Sequence, residues 1–341
     1  MKTSHLRRIM AEELVGINGF GRVGQMFLRM ALERELRVVA INDPEVGVEQ
    51  MASMLERDSS QGVSTKTYLS PLNQLLSCQG PWDGDVAVKG GRLFLNGKPV
   101  TVYKKSDISS IPWSKSGAKY IIETTAVGTE RGLRAHLSAG AYRVIVAAPI
   151  PELPLLIMGV NELEYKTDWK LVSAGCSTST CLAPLVGLLN TKLGVAEVMV
   201  TAVRGATTDT SMVDTVSKVE TGDWRAGRGF CQSITPLALG AEETISKVVP
   251  ALEGKIGGLG IQVQTAAVSL LDITLKLEQD TDYEAVCAAV VKASEGSLHG
   301  VLGYTEQPLV SADFVGDQRS AVVDFPAGLQ LGPGMVKLVV W

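Results

Sequence analysis

The stretch LVGINGFGRVGQMFLRMAL (14–32) decides the fold. It opens with an apolar run, turns at glycines, and continues with helical spacing at Met26, Phe27, Met30 and Ala31. That reads as strand, tight turn and helix. Gly19-Phe20-Gly21-Arg22-Val23-Gly24 fits G-x-G-x-x-G. Such a match is weak alone, but here the next strand, RVVAIND (37–43), ends in an acid. Asp43 lies 19 residues after Gly24, close to the spacing of a carboxylate that accepts from an adenosine ribose. The glycines let backbone amides approach a pyrophosphate, and the helix N-terminus adds a favourable dipole. A carboxylate repels a 2′-phosphate, so Asp43 favours NAD over NADP. The plain alternative is a glycine-rich packing turn.

Further strands are expected at YIIETT (120–125) and RVIVAAP (143–149), with a helix, ERGLRAHLSAG (130–140), between them and Gly140 as its C-cap glycine. Strands alternating with helices imply a doubly wound parallel sheet. The stretch 63–82 fits the pattern poorly and is read as a surface insertion. RLFLNGKPVTVY (92–103) is a hairpin, with Asn96-Gly97 in its turn. The second half is β-rich: EVMVTAVRGAT, IQVQTAAVSLLDITLKLE, QRSAVVDFPAG and MVKLVVW surround two clear helices, AEETISKVVPAL and DYEAVCAAVVKASEG. A mixed sheet with helices on one side is expected. The fold class is therefore α/β, with a Rossmann-type doubly wound parallel sheet over 1–173 and a mixed-sheet α+β domain over 174–341.

The bulk numbers narrow the function. A chain of 341 residues holds two ordinary domains, and 45% hydrophobic residues is a globular composition. The net charge is -4 and no block of Lys or Arg stands out, so neither nucleic acid nor a membrane surface is expected as a partner. Five cysteines in a long chain argue against a secreted disulfide framework. The opening MKTSHLRRIMAEELVG lacks the apolar core of a secretory signal. The greasiest stretch, VIVAAPIPELPLLIMGV, is broken by three prolines and a glutamate, whereas a membrane span needs roughly 20 apolar residues. The expected compartment is the reducing cytoplasm.

Ten segments in order, VGINGFGRVGQ, INDP, AHLSAGAYRVIVAAP, MGVN, CLAP, WRAGRG, KVVPALEGKI, AAVSLLDITLKLE, ASEGSLHGVLGYTE and SADF, resemble the glyceraldehyde-3-phosphate dehydrogenase family. The resemblance runs from about residue 13 to the last residue. It implies a Rossmann domain, a catalytic domain, NAD as cofactor, a homotetramer in the cytoplasm, and glycolytic chemistry. In that chemistry a thiolate attacks an aldehyde while a histidine takes its proton, hydride passes to NAD, and phosphate, held by hydroxyls and an arginine, cleaves the thioester. The cofactor positions Gly19, Gly21, Arg22, Val23, Gly24 and Asp43 match, and the family's Ser/Thr-Thr-Gly loop reads Thr124-Thr125-Ala126, placing Thr125 beside the cofactor.

The catalytic positions do not match. The family's Ser-Cys-Thr-Thr-Asn-Cys-Leu-Ala-Pro aligns without a gap on CSTSTCLAP (176–184), anchored at Cys181. The nucleophile position then holds Ser177, and the cysteine sits one residue earlier, at Cys176. One step along a helix turns a side chain by about 100°, so Cys176 is a displaced thiol. Two compensating gaps would return it to the site; the ungapped alignment needs none. The family's base position holds Arg204, whose guanidinium does not deprotonate in proteins. His5, His136 and His299 lie in other segments, and none reads as a replacement base. At the phosphate positions Thr178 and Thr207 are kept, but a second threonine is Asp209, the arginine is Gln262, and the threonine of Thr-Gly-Ala-Ala is Leu239, followed by Gly240. After MVKLVVW the family continues through an asparagine that anchors the nicotinamide and a final helix, both absent from this sequence.

The expectation is an NAD-binding paralogue, holding NAD weakly, that is catalytically impaired and plays a structural or regulatory part in a homo- or hetero-tetramer with family subunits. The alternative is an active NAD-dependent aldehyde dehydrogenase using a shifted Cys176 with Arg204 stabilising its thiolate. Ordinary glycolytic activity at low efficiency ranks last. No metal ligand set is visible.

Overall fold

The computed structural model describes residues 13–58, 62–63, 84–125, 129–206, 211–216 and 224–341. The expected insertion falls almost wholly on 64–83, outside the described residues. The chain divides into two compact units: Met1–Leu155 with Tyr165–Ala174, and Leu156–Glu164 with Gly175–Trp341. The division near residue 173 is thus crossed by one short excursion, 156–164, which groups with the second unit.

In the first unit the glycine-rich stretch forms β1 (Leu14–Asn18) and α1 (Arg22–Glu33), followed by β2 (Arg37–Asn42) and α2 (Val48–Glu56). A two-residue ladder, β3 (Arg57–Asp58) and β4 (Gly62–Val63), precedes β5 (Val86–Lys89), β6 (Arg92–Leu95) and β7 (Lys98–Tyr103). Then come α3 (Trp113–Ser116), β8 (Tyr120–Glu123), α4 (Glu130–Ser138), β9 (Arg143–Val146) and β10 (Leu171–Ser173). The sheet order is β10-β9-β8-β1-β2-β7-β6-β5, parallel from β10 to β7, with β6 and β5 antiparallel at the edge. The β6–β7 turn has Asn96 at φ 49 and Gly97 at φ 74, the two left-handed residues of a type I′ hairpin.

The chain leaves β1 toward β2 and later returns to place β8 on the other side of β1. That reversal opens a crevice at the carboxyl ends of β1 and β8, where doubly wound sheets bind ligands. β1 and β2 are covered on both faces, so their residues read as continuous apolar runs. Ile17, Leu28, Ile41 and Leu55 fill one layer, and Trp113, Ile121, Leu133 and Val144 the other. The buried face of α1 differs from the expected stripe. Leu28, Arg29 and Ala31 are buried, whereas Met26, Phe27 and Met30 are half-buried. The reason is Gly24, which brings the helix so close that a Cβ there would lie 2.2 Å from Gly19 O. That contact, not the greasiest residues, sets the rotation of α1.

The second unit contains α5 (Ser177–Leu193), β11 (Val195–Arg204), β12 (Thr235–Ala238), α6 (Glu242–Val248), β13 (Ile256–Gln262) and β14 (Leu270–Leu277). It continues with α7 (Tyr283–Ser294), β15 (Leu302–Thr305), β16 (Ala321–Gln330) and β17 (Met335–Val340). The seven strands run β12-β13-β11-β14-β17-β16-β15, with β11–β13 and β15–β16 parallel and the other pairs antiparallel. Alternation shows which face is covered: Leu271, Ile273, Leu275 and Leu277 are buried, as are Val198, Val200 and Ala202, while Met199 and Lys276 between them are exposed. α5 packs on this sheet and against α6 and α7.

The expectation of only two clear helices in this half is corrected by α5, the longest helix described, at 17 residues. Its sequence hides it. A Ser/Thr run opens it, and Pro184 sits inside it, without the N–H that would reach back to Thr180. It is also buried along much of its length, from Thr178 and Ser179 through Cys181–Val186 to Leu189, so no polar stripe marks a helical period. No helix of the described residues is long and apolar enough to cross a membrane.

Candidate functional site

The carboxyl end of the first sheet gathers the nucleotide-motif residues. Gly19 has φ 93, and a Cβ there would lie 2.6 Å from Thr124 Oγ1, so the turn requires glycine. A Cβ at Gly21 would meet nothing within 4 Å. Gly21 caps α1 without a side chain, so the helix N-terminus opens onto the space beside Gly21, flanked by exposed Arg22 and Val23. That cradle and the helix dipole fit a pyrophosphate. Asp43 closes the loop from the next strand: Oδ2 accepts from Phe20 N at 2.8 Å, and Oδ1 accepts from Glu45 N at 2.9 Å and Val46 N at 3.1 Å. The carboxylate is therefore fixed by amides at the strand end where a ribose hydroxyl donates in this fold. The residues present fit a dinucleotide.

Thr125 joins this group through a buried polar chain that sequence reading missed. Its N–H and its Oγ1 both donate to Glu123 Oε1, at 2.5 and 2.6 Å. Glu123 Oε2 accepts from Asn18 Nδ2 at 2.6 Å and from His136 Nε2 at 2.8 Å. Asn42 Nδ2 donates to Asn18 Oδ1 at 2.8 Å, and Trp113 Nε1 donates to His136 Nδ1 at 3.0 Å. An indole N–H can only donate, so His136 Nδ1 accepts and its proton sits on Nε2. Burial, the largest single influence on Glu123, pushes its carboxyl up; the hydrogen bonds from His136, Thr125 and Asn18 outweigh it and hold the group below the usual value. His136 is thus a structural partner of Glu123. The available signal was a glutamate closing the apolar strand YIIE, with asparagines closing both β1 and β2.

The second unit holds a cavity of about 230 Å³. Ser177 and Thr178 of the first turn of α5, Cys181 one turn on, and Arg204 at the end of β11 all line it. Arg204 Nη2 donates to Thr178 Oγ1 at 3.2 Å and to Leu239 O. Ser177 is exposed and lines the cavity. Cys181 is buried, and burial pushes its thiol up to about 12. Cys176 is not a lining residue; it is the N-cap of α5. Its Sγ accepts from Ser179 N at 3.4 Å, and Ser179 Oγ accepts from Cys176 N at 3.0 Å, a capping box with sulfur in place of a hydroxyl.

Two other expected positions gather at Arg204. Gln262 pairs with Arg204 in the β11–β13 register, and Leu239 is buried with Gly240 beside it at φ 69. Thr207 and Asp209 lie outside the described residues. The structure adds wall residues that the sequence did not single out. Phe314 stacks on Trp341 at 5.4 Å, and Trp341 Nε1 donates to Asp324 Oδ2 at 3.0 Å. Asp317 takes Arg319 Nε at 3.0 Å and also Arg319 Nη2. Burial pushes Asp317 up, but the hydrogen bonds and charge of Arg319 hold it below the usual range. Only the SADF tetrapeptide, which supplies Phe314 to this wall, hinted at it.

Among the described lining residues no histidine and no unengaged carboxylate is present. Arg204 cannot serve, Asp317 is engaged by Arg319, and His299 is exposed and not a lining residue. Among the described residues no cluster of His, Cys, Asp or Glu is arranged to hold a metal ion.

Residues 14–131 match the family described as glyceraldehyde 3-phosphate dehydrogenase, NAD binding domain, and residues 175–341 match its C-terminal domain. Glyceraldehyde-3-phosphate dehydrogenase 1 of Schizosaccharomyces pombe is 43% identical over 334 residues, covering 97% of this chain and 93% of the relative. Glyceraldehyde-3-phosphate dehydrogenase of Ogataea parapolymorpha is 40% identical, covering 96% and 92%. The chloroplastic glyceraldehyde-3-phosphate dehydrogenase GAPCP2 of Arabidopsis thaliana is 40% identical, covering 99% of this chain and 76% of the relative.

Proposed function

The chain belongs to the glyceraldehyde-3-phosphate dehydrogenase family, with a Rossmann NAD-binding domain and a C-terminal catalytic domain, and from that premise we propose that it binds NAD, weakly, and is impaired in phosphorylating aldehyde oxidation. Its role is then structural or regulatory, in the cytoplasm, within a homo- or hetero-tetramer of family subunits. One observation carries this reading: the cavity presents a serine hydroxyl and a guanidinium, while the nearby thiol of Cys176 is turned to cap its own helix.

Each residue's chemistry supports it. NAD, when bound, supplies a hydride acceptor. The chain must supply a nucleophile whose proton has somewhere to go. The Ser177 hydroxyl stays protonated near neutrality without a base, and Arg204 offers no lone pair to receive its proton. Cys181 keeps its proton at neutral pH, with its thiol near 12. These positions act as a unit in catalysis, so one surviving member cannot compensate for the others.

The test is a calorimetric NAD titration, followed by glyceraldehyde 3-phosphate and phosphate with absorbance read for NADH. Saturable cofactor heat with no NADH is the expected result. An NADH burst with alkylation of Cys176 slowed by NAD overturns the reading in favour of the displaced-thiol enzyme. Steady NADH formation without such protection also overturns it.

A further inference from the structure

Among the described residues, three that are not glycine have a positive φ: Glu35 at 60, Asn96 at 49 and Val268 at 65. The first two have ordinary reasons. Glu35 is exposed just past the end of α1, and Asn96 is in the hairpin turn. Val268 has neither. It is half-buried, and it lines the cavity of the second unit. A left-handed backbone crowds any Cβ, and a β-branched residue suffers most. Such strain persists only where the surroundings over-determine it, and it gathers at clamps and switches.

The surroundings here are a crossing. β11 lies between β13 and β14 in the sheet. β13 ends at Gln262, beside Arg204, and β14 begins at Leu270, beside Val203. Residues 263–269 therefore pass over the carboxyl end of β11 as a strap. Val263 N donates to Arg204 O at 2.9 Å, and Ala206 N donates to Thr265 O at 2.9 Å. The crossing is close: a Cβ at Gly205 would lie 2.6 Å from Thr265 O. Gln264 Nε2 ties the strap outward, to Phe230 O at 2.8 Å and Ser233 O at 2.5 Å. Val268 and Ser269 then carry the chain down into the cavity wall that Arg204 and Cys181 share.

We propose that residues 263–269 are a strap loaded by Val268, which opens locally and admits small molecules to the cavity. Closing the strap forces Val268 into the left-handed region, and opening lets it relax, so the strain offsets part of the loss of the strap's hydrogen bonds. Opening breaks Val263 N from Arg204 O and Ala206 N from Thr265 O, and it takes Val268 and Ser269 away from Cys181. Val268 is thus a positioning residue for the end of β11. The device is independent of whether the cavity turns over an aldehyde.

The experiment is native-state hydrogen exchange on the full chain, with iodoacetamide labelling of Cys181 mapped by mass spectrometry. In the parent, the amides of Val263 and Ala206 should exchange about tenfold or more faster than those of Val200 and Ile273, which lie within the same sheet. Equal protection overturns the proposal, because the strap then opens only when the whole domain does. Val268→Gly and Val268→Ala provide the second arm. Both remove the isopropyl group, and only glycine removes the left-handed strain. Glycine also gains freedom on opening, but at a positive φ the relief is the larger effect. Exchange at Val263 and Ala206, and labelling of Cys181, should each be about fivefold slower in Val268→Gly than in Val268→Ala. Equal rates in the two variants, or Cys181 labelling that does not follow the two amides, overturn the proposal. Should either variant fail to fold by circular dichroism, the parent arm still decides.

Discussion

His136 Nε2 lies 2.8 Å from Glu123 Oε2, and both side chains are wholly buried. The pair ties α4 to the end of β8. Through the other carboxylate oxygen it also holds Thr125, beside the glycine turn. A residue that looked incidental to function therefore supports the shape of the dinucleotide crevice.

Glu123→Gln replaces an acceptor surrounded by donors with a group that must itself donate. The expected loss is about 2–3 kcal/mol of stability, together with weaker NAD binding. The parent chain also has a characteristic acid limb. Because the folded carboxyl of Glu123 is held below its ordinary value, its stabilisation is complete above the unfolded pKa of about 4.3 and is lost as pH falls through the lower folded value. Urea unfolding at a series of pH values should show Glu123→Gln flattening that limb below about pH 4 while lying lower at pH 7.

The glycines of the turn should separate folding from binding. Gly24→Ala places a methyl against Gly19 O and should cost stability, on the order of 2 kcal/mol or more, as well as NAD affinity. Gly21→Ala has open space and an ordinary φ of −71, so its melting temperature should stay close to the parent's. Its methyl nonetheless intrudes where the pyrophosphate must approach, and calorimetry should show NAD affinity falling roughly tenfold or more. Equal NAD affinity in Gly21→Ala and the parent would count against the cradle.

Ser177→Cys puts sulfur into the cavity but leaves no base. Iodoacetamide should then label residue 177, with little NADH formed from glyceraldehyde 3-phosphate. The double variant Ser177→Cys with Arg204→His restores a proton acceptor at the end of β11 and should raise that rate by a factor of about 10² or more over the single variant. Cys176→Ser should leave the rate unchanged and shift stability by less than about 1 kcal/mol, since serine is itself a good N-cap.

The thiols should react in an order set by burial. Cys231 is exposed, whereas Cys181 is buried with its thiol near 12. At pH 7.5, mass-spectrometric mapping after brief alkylation should find Cys231 modified well before Cys181. The reverse order would show that α5 opens far more readily than its packing implies.

Local chemistry made much of this molecule legible. Gly19, Gly21 and Gly24, with an acid at the end of the next strand, mark a dinucleotide turn, because a tight turn, a close helix approach and a ribose partner each demand a residue type at a short spacing. Asn96-Gly97 marks a hairpin for the same reason. α5 escaped notice because burial on all sides erases the polar face that periodicity needs, and the Glu123 chain because its members are far apart, Asn18 and Glu123 being separated by 105 positions. The sequence by itself set the expectation, through an ungapped alignment anchored at Cys181, that Ser177 and Arg204 stand at the family's nucleophile and base positions. Only the tertiary structure decided that Cys176 is spent on capping its helix, that Arg319 is paired with Asp317, and that Arg204 is held by Thr178 Oγ1 and Leu239 O in the wall of the same cavity. Composition and spacing say which charges a chain carries; which of them cancel depends on long-range packing that brings side chains within a hydrogen bond of one another.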